Sequence, residues 1–510
     1  MENHSIDVLV VGAGPTGLFL ALLLAKLGVS VRVVDAAEGP GTTSRALAVQ
    51  ARTLEFYRQV GLVDEVLERG LVFGDVNLWR GGERVAHVDL SNLGEGISPY
   101  PFGLIFPQDQ HERLLIERLE REGVKVERRV TVHELEDRGG SVIVRATAPD
   151  GERTYEAKLV AGCDGARSAV RKAIGVGFPG GTYEHVFYVA DILAEGGPMD
   201  KGLHVMLDEA GFLALFPLAA DGAARLIGTV RVPADQTERQ LGWDDIDRGP
   251  VDRIGLRVTR VNWFSTYRVH HRVADSFRRG NVFLLGDAGH IHSPVGGQGM
   301  NTGLGDAMNL AWKMAAVLGG RARADLLDTY EPERIAFARR LVATTDRAFQ
   351  AASSDTTLAR FTRFDVLPRI LPLAVRTGIG RRTLFATVSQ TAISYRDSAW
   401  SEGRAGEIHA GDRLPWVAPE IAGGDDNFTP LASLDWQAHV YGSAPPGARE
   451  TCESHRVTLH VFPWTSRVDA ASLSRDVMYL VRPDGYIGGV FTDPARLEGY
   501  LASHEIRVRV

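Results

Sequence analysis

Residues 6–11 (IDVLVV) form a short, unbroken apolar run rich in β-branched side chains, the pattern of a strand buried on both faces. The turn Gly12-Ala13-Gly14-Pro15-Thr16-Gly17 follows, and the spacing then predicts a helix from Leu18 to about Leu27. A second apolar run, VSVRVVD, ends at Asp35. Strand, glycine turn, helix and strand thus make a βαβ unit at the start of the chain. From residue 75 to about 105 the pattern breaks into short alternating segments punctuated by Gly, Pro and Ser. Helical spacing returns in HERLLIERLEREG, with charged residues on the exposed face. Residues 181–270 read as extended structure, with candidate strands HVFYVADIL, LHVMLD and GFLALFPL. NVFLLGDA is a buried strand leading through a loop to a long helix from about Gly303 to Leu318. The N-terminal pattern therefore resumes after a β-rich insertion.

A mostly helical stretch is predicted over residues 325–398, and GEIHAGDRLPWVAPEIAGGDDN, dense in Gly, Pro and Asp, marks a boundary. The last hundred residues, with strands such as VTLHVFPW and DVMYLVRPDG, read as a separate α/β unit. A length of 510 residues exceeds one ordinary core and suggests two or three domains. With 57 basic and 64 acidic side chains, the charge gives no reason to expect nucleic acid or an anionic membrane as partner. No stretch has the length and apolarity of a membrane span. The run Leu18–Ala25 lies beyond the glycine turn without a basic leader, so a cytoplasmic protein is expected. Cys163 and Cys452 form no CxxC pair and no zinc spacing, which points away from a disulfide framework, a thiol redox centre or a metal site.

Three motifs carry chemistry. Gly12, Gly14 and Gly17 permit a tight turn and close approach of backbone to a pyrophosphate, with the helix N-terminus supplying free N–H groups. Asp35, at the end of the next strand, suits the hydroxyls of an adenosine ribose. The segment Cys163-Asp164-Gly165-Ala166-Arg167-Ser168 follows the apolar strand AKLVAG and opens a helix. Alone it reads as an Asp-Gly turn. Gly286-Asp287-Ala288-Gly289-His290 ends a buried strand, and Pro294-Val295-Gly296-Gly297-Gln298-Gly299-Met300-Asn301 exposes backbone N–H groups ahead of a helix. Such a nest stabilises negative charge, including that on the pyrimidine edge of a reduced flavin.

In this order and spacing, over about the first 345 residues, the motifs resemble the single-component FAD-dependent aromatic monooxygenases. That family holds para-hydroxybenzoate hydroxylase, phenol hydroxylase and the aromatic polyketide hydroxylases. GDAGHIHSPVGGQGMNTGLGDAMNLAWKMA is the most specific stretch. The resemblance implies an α/β fold: a Rossmann-like FAD-binding domain (1–74, 106–180 and 268–345) with an inserted β-sheet substrate domain (75–105 and 181–267). A helical segment (346–400) and a thioredoxin-like C-terminal domain (401–510) follow, the latter on the pieces GDRLP and RPDGY. Without CxxC, that last domain should serve packing or a homodimer.

The resemblance also implies roles. Gly12, Gly14, Pro15, Thr16, Gly17 and Asp35 would bind the adenosine diphosphate half of non-covalent FAD. Gln108 would lie near the diphosphate, the Val132 backbone near adenine, Asp287 on the ribitol–pyrophosphate region, and Asp164 with Arg167 near both FAD and the pyridine nucleotide. Pro294, Gly297, Gly299, Met300 and Asn301 would line the isoalloxazine, and Arg45 would contact FAD and help control its movement. Arg45, Pro294 and Gly297 are therefore the positions expected to bear on catalysis. The family reduces FAD with NADPH or NADH, and O2 then gives a C4a-hydroperoxide that hydroxylates an electron-rich ring. His290 and His292 sit beside the flavin loop, and packing is the expected role of His290.

Phe187, His204, Met206, Leu215 and Phe216 lie on candidate strands roofing the substrate cavity, though alternation does not tell which face is which. A small aromatic substrate is expected, a multi-ring phenolic first and a simple phenol second. A halogenase is disfavoured by the missing WxWxIP signature. A prenyl-lipid reductase would have no reason to keep the C-terminal domain. A non-catalytic flavoprotein sequestering an aromatic compound is the remaining alternative, and the presence of Asp164 and Arg167 weighs against it.

Overall fold

The computed structural model describes residues 6–41, 46–208, 211–218, 220–230, 241–293, 297–353, 367–421 and 423–509. The first sheet has eight strands, five of them parallel in the order Val282–Leu284, Gly151–Gly162, Ile6–Val11, Val31–Asp35 and Val126–Arg128, with Arg278–Arg279, Val142–Ala148 and Thr131–Asp137 added antiparallel. The unbroken apolar run Ile6–Val11 lies between two parallel neighbours and is buried along nearly its whole length, as an all-apolar strand requires. The helix after the glycine turn spans Pro15–Lys26, starting three residues ahead of the predicted Leu18. Proline is suited to a first helical turn, where its missing N–H leaves no carbonyl unpaired.

The long helix likewise starts earlier than predicted, spanning Gly299–Leu318 rather than beginning near Gly303. Its glycine-rich first turn reads as loop by propensity, but tertiary contacts hold it. Thr302 N donates to Gln298 O at 2.9 Å, and Asn301 is fully bonded.

The second sheet has eight strands in the order His290–Ile291, Leu256–Val273, Gly180–Gly196, Ala223–Val230, Gly211–Pro217, Leu203–Asp208, Asp75–Arg80 and Glu83–Asp89. One face packs through Tyr188, Ala190, Met206, Leu215 and Leu226 on Ile246, Val251 and Ile254 of the 243–256 segment. The other carries Phe187, Ile227, Tyr267 and Val269, joined by Tyr183, whose hydroxyl donates to Asp346 of the Tyr330–Ser353 helix at 2.8 Å. The sheet also pairs Val273 with His290, so it runs directly into the Gly286–His290 turn.

In the C-terminal part, Gln437–Tyr441 pairs parallel with Thr458–Phe462 across the Ala448–Ser454 helix. Met478–Val481 and Ile487–Phe491 then add antiparallel strands before the Pro494–Ser503 helix. This βαβ–ββα order is the thioredoxin-like arrangement. It docks on the N-terminal part, with Trp312 and Trp436 edge to face at 5.5 Å. Among the described residues, no helix is long and apolar enough to cross a membrane.

Candidate functional site

The glycine turn is held by its own backbone. Gly12 has φ +106°, and a Cβ there would lie 2.3 Å from the Cys163 carbonyl oxygen. A Cβ on Gly17 would lie 2.0 Å from Gly12 O. Both positions need glycine for space, and Gly12 also for conformation. Gly14, the residue before the Pro15–Lys26 helix, has nothing within 4 Å of its Cβ position. An open, glycine-walled helix N-terminus is what a pyrophosphate requires. Asp35 Oδ2 accepts from Ala13 N at 2.5 Å and Oδ1 from Ala37 N at 2.7 Å. The carboxylate thus braces the turn and retains lone pairs for a ribose hydroxyl.

Thr16 is where the first and third motifs meet. A Cβ on Gly286 would lie 2.8 Å from Thr16 Oγ1, and one on Gly303 would lie 2.2 Å from it. Gly286, at φ +56°, turns the chain so that Asp287 stands exposed at the end of the buried strand. Beneath the turn, buried Asp306 accepts from Gly286 N at 2.9 Å and pairs with His290 Nε2 at 2.7 Å and Arg334 Nε at 2.6 Å. Burial opposes ionisation of Asp306, but the Arg334 and His290 charges outweigh it and hold the carboxyl below its usual range. His290 is buried against Phe277, under the loop.

Downstream, Gly297 sits at φ +60°, with its Cβ position 2.8 Å from Ala48 Cβ. Gly299 and Met300 are half-buried at the start of the long helix. Asn301 Oδ1 accepts from Gln50 N and Thr53 Oγ1, while Nδ2 donates to Ala48 O and Gly297 O. His292 turns Nδ1 to Ser293 O at 2.7 Å and leaves Nε2 buried without a partner among the described residues. Burial pushes its pKa down to about 4, so near neutrality that nitrogen is a free acceptor. Pro294 and Arg45 lie outside the described residues.

The remaining positions lie on three further segments. Asp164 accepts from Ser168 Oγ and from Ala169 and Val170 N, capping the short Ala169–Ala173 helix. Its local work in this structure is that of an Asp-Gly turn. Gln108 opens the Gln108–Arg121 helix, its N bonded to Ala46 O and its side-chain amide to Glu112. Buried Val132 follows Val130, whose N donates to Asp35 O at 2.9 Å.

The five strand positions separate by face. His204, Met206 and Leu215 point into the core against the 243–256 segment, and His204 is spanned by Trp79 Nε1 and Asp200. Phe187 and Phe216 lie on the opposite face, where Phe187 stacks on Tyr267 with centroids 5.9 Å apart. Sequence reading missed three groups on that face. They are Tyr267, Trp263 and the Asp191–Arg225 pair, in which Arg225 Nε and Nη2 donate at 2.7 and 2.8 Å. Alternation in VNWFSTYRV is a signal for Trp263 and Tyr267, whereas a paired Asp and Arg 34 positions apart leave none.

The open Gly14, the exposed Asp287 and the backbone turns around Thr16 fit a dinucleotide flavin. Residues 5–345 match a family model described as an FAD binding domain. The chain is 34% identical over 432 residues to the 6-methylpretetramide 4-monooxygenase of Streptomyces rimosus, covering 82% of this chain and 76% of that one. It is 31% identical over 506 residues to a flavin-dependent monooxygenase of Mycobacteroides abscessus, covering 96% and 98%. The solved anhydrotetracycline hydroxylase OxyS of Streptomyces rimosus matches with a TM-score of 0.79 at 27% identity, over 99% of this chain and 100% of that one.

Proposed function

The chain belongs to the flavin-dependent monooxygenases built on an FAD-binding domain, and from that premise we propose that it hydroxylates a multi-ring phenolic or polyketide-type aromatic, with NADPH or NADH as reductant and O2 as oxygen source. The observation that carries the reading is the likeness to a 6-methylpretetramide 4-monooxygenase over 82% of the chain and to a solved anhydrotetracycline hydroxylase over 99% of it. FAD supplies the two-electron acceptance from a nicotinamide and the activation of O2.

The chain's own residues do the rest. Gly12, Gly14, Pro15, Thr16 and Gly17 bring backbone N–H groups to the pyrophosphate, and Asp35 takes the adenosine ribose. Asp287 holds the ribitol, with Gln108 and the Val132 backbone along the adenosine diphosphate. Asp164 caps the helix that carries Arg171, whose guanidinium donates to Ala288 O at 2.8 Å and so ties this motif to the Gly-Asp turn. Gly297, Gly299 and Met300 line the ring with backbone, held by the fully bonded Asn301. Arg45 and Pro294 lie outside the described residues, and the family resemblance alone assigns them to the ring. The Phe187, Phe216 and Tyr267 face orients a flat, apolar substrate and excludes water, with Asp191 as its polar group.

The test is NADPH oxidation in air by the yellow holoprotein, comparing a multi-ring phenolic polyketide with a simple phenol. Stimulation by the polyketide, with product heavier by one oxygen, supports the reading. Stimulation by the simple phenol alone would overturn the substrate class.

A further inference from the structure

The turn Arg482-Pro483-Asp484-Gly485 belongs to the C-terminal part, yet its polar groups bond to helices of the FAD-binding part. Arg482 Nη1 and Nη2 donate to the two oxygens of Glu333, each at 2.9 Å. Its Nε and Nη2 also donate to Asp484 at 3.1 and 2.6 Å. Asp484 Oδ2 accepts from Trp312 Nε1 at 3.2 Å, and the Asp484 carbonyl accepts from Arg52 Nη2 at 2.7 Å. All five residues are buried.

Two arms leave this hub. Along the first, Glu333 Oε2 accepts from Asn309 Nδ2 and Lys313 Nζ, both at 2.7 Å. The adjacent Arg334 donates to Asp306, to the Thr302 carbonyl at 3.1 Å and to the Tyr395 hydroxyl at 2.9 Å. Asp306 in turn holds Gly286 N and His290. Along the second, the helix bearing Arg52 (Ala51–Gln59) places Thr53 Oγ1 and the preceding Gln50 N on Asn301. One arm ends under the Gly-Asp turn and the other at Gly297–Asn301.

Thr302, Asp306, Asn309 and Lys313 follow helical spacing and form one polar stripe on the Gly299–Leu318 helix. A buried polar stripe is costly unless each member is paired, and stability alone would be served as well by apolar residues. Here the partners lie on the Tyr330–Ser353 helix, which Arg482 anchors, so the pairing fixes the helix in one register.

We propose that the Arg482–Asp484 turn is a positioning element of the flavin site, setting how the Gly299–Leu318 helix meets the Gly286–His290 turn without touching the cofactor. This rests on the reading of those segments as the flavin site. Charged groups deep in the interface interact strongly enough for loss of one to be felt at the end of the arm.

The experiment measures the FAD dissociation constant and the visible circular dichroism of bound flavin on full-length variants, beside the thermal midpoint. Arg482→Gln should weaken FAD by about tenfold and alter the flavin dichroism, and Arg482→Lys should restore part of both. The double variant with Asp306→Asn should be weaker than either single by less than the product of their factors. An Arg482→Gln protein with a lowered midpoint but wild-type FAD affinity and spectrum overturns the proposal, as does a strictly multiplicative double variant. If Arg482→Gln does not fold, Trp312→Phe, which removes only the indole N–H on Asp484, should weaken FAD roughly threefold. An unchanged constant for it overturns the proposal equally. Asp287→Ala separates the two failures. Full FAD affinity in that variant removes the site reading itself, whereas weak FAD there with normal affinity in Arg482→Gln removes only the positioning role.

Discussion

Gly303→Ala asks whether the first and third motifs really share Thr16. In the structure a Cβ at 303 would sit 2.2 Å from Thr16 Oγ1, 3.3 Å from Gly286 Cα and 3.5 Å from Thr16 Cβ. To reach ordinary contact with the hydroxyl, the Gly299–Leu318 and Pro15–Lys26 helices must separate by about 1 Å. Such overpacking typically costs about 1–3 kcal/mol, against about 1 kcal/mol gained by replacing glycine inside a helix. The net loss falls on the junction of the two turns. FAD affinity should therefore drop by about tenfold, the equivalent of about 1.4 kcal/mol. Thr16→Ala removes the clashing oxygen and leaves the two Cβ atoms at the 3.5 Å contact. The double variant Thr16→Ala/Gly303→Ala should then bind FAD better than Gly303→Ala alone, with a coupling of about 1 kcal/mol in a double-mutant cycle. Fluorescence titration of apoprotein with FAD reads all four proteins. Wild-type affinity in Gly303→Ala, or a double variant no better than that single, would refute the geometry.

Four further outcomes are expected. Asp287→Ala should lose FAD on gel filtration, and a fully yellow variant would defeat the ribitol assignment. Burial pushes His111 and His439 down to about 3 and His292 to about 4, so each stays neutral in the fold where the unfolded chain is already protonated. Their stability contribution is lost as pH falls from about 6.5 toward 4, by about 1.4 kcal/mol per pH unit for each ring. His439→Gln should therefore reduce that slope by up to about 1.4 kcal/mol per pH unit in urea titrations, and an unchanged slope contradicts the assignment. Met206→Ala should cost about 2–5 kcal/mol of stability and leave KM for the aromatic substrate alone, whereas Phe216→Ala should raise KM with less loss of stability. The reverse pattern would exchange the two faces of the sheet.

The parallel sheet was legible because its strands are unbroken apolar runs, and IDVLVV emerges as the strand Ile6–Val11 without shift. Helix starts were less so. Pro15 and Gly299–Thr302 look like loop in a one-dimensional pattern, and only proline geometry and the bonds of Asn301 and Thr302 make them helical. Backbone turns carry their own signature, so Gly12, Gly17 and Gly286 stood out from the glycine spacing alone. The faces of the substrate sheet did not. A strand such as LHVMLD is apolar on both sides, and the side facing the 243–256 segment is decided by a chain stretch with no local signal. The ionic hub around Arg482, Glu333 and Lys313 was also hidden, because its members lie far apart in sequence and each looks like an ordinary surface charge.

The most direct test of the account uses 18O2. The holoprotein, NADPH and a multi-ring phenolic are incubated under labelled gas, and product mass is compared with that from unlabelled gas in H2-18O. The account predicts one labelled oxygen atom from O2 and none from water, with the label absent when Asp287→Ala protein lacking FAD is used. A hydroxylated product carrying oxygen from water, or substrate recovered unchanged while NADPH is consumed, would contradict it.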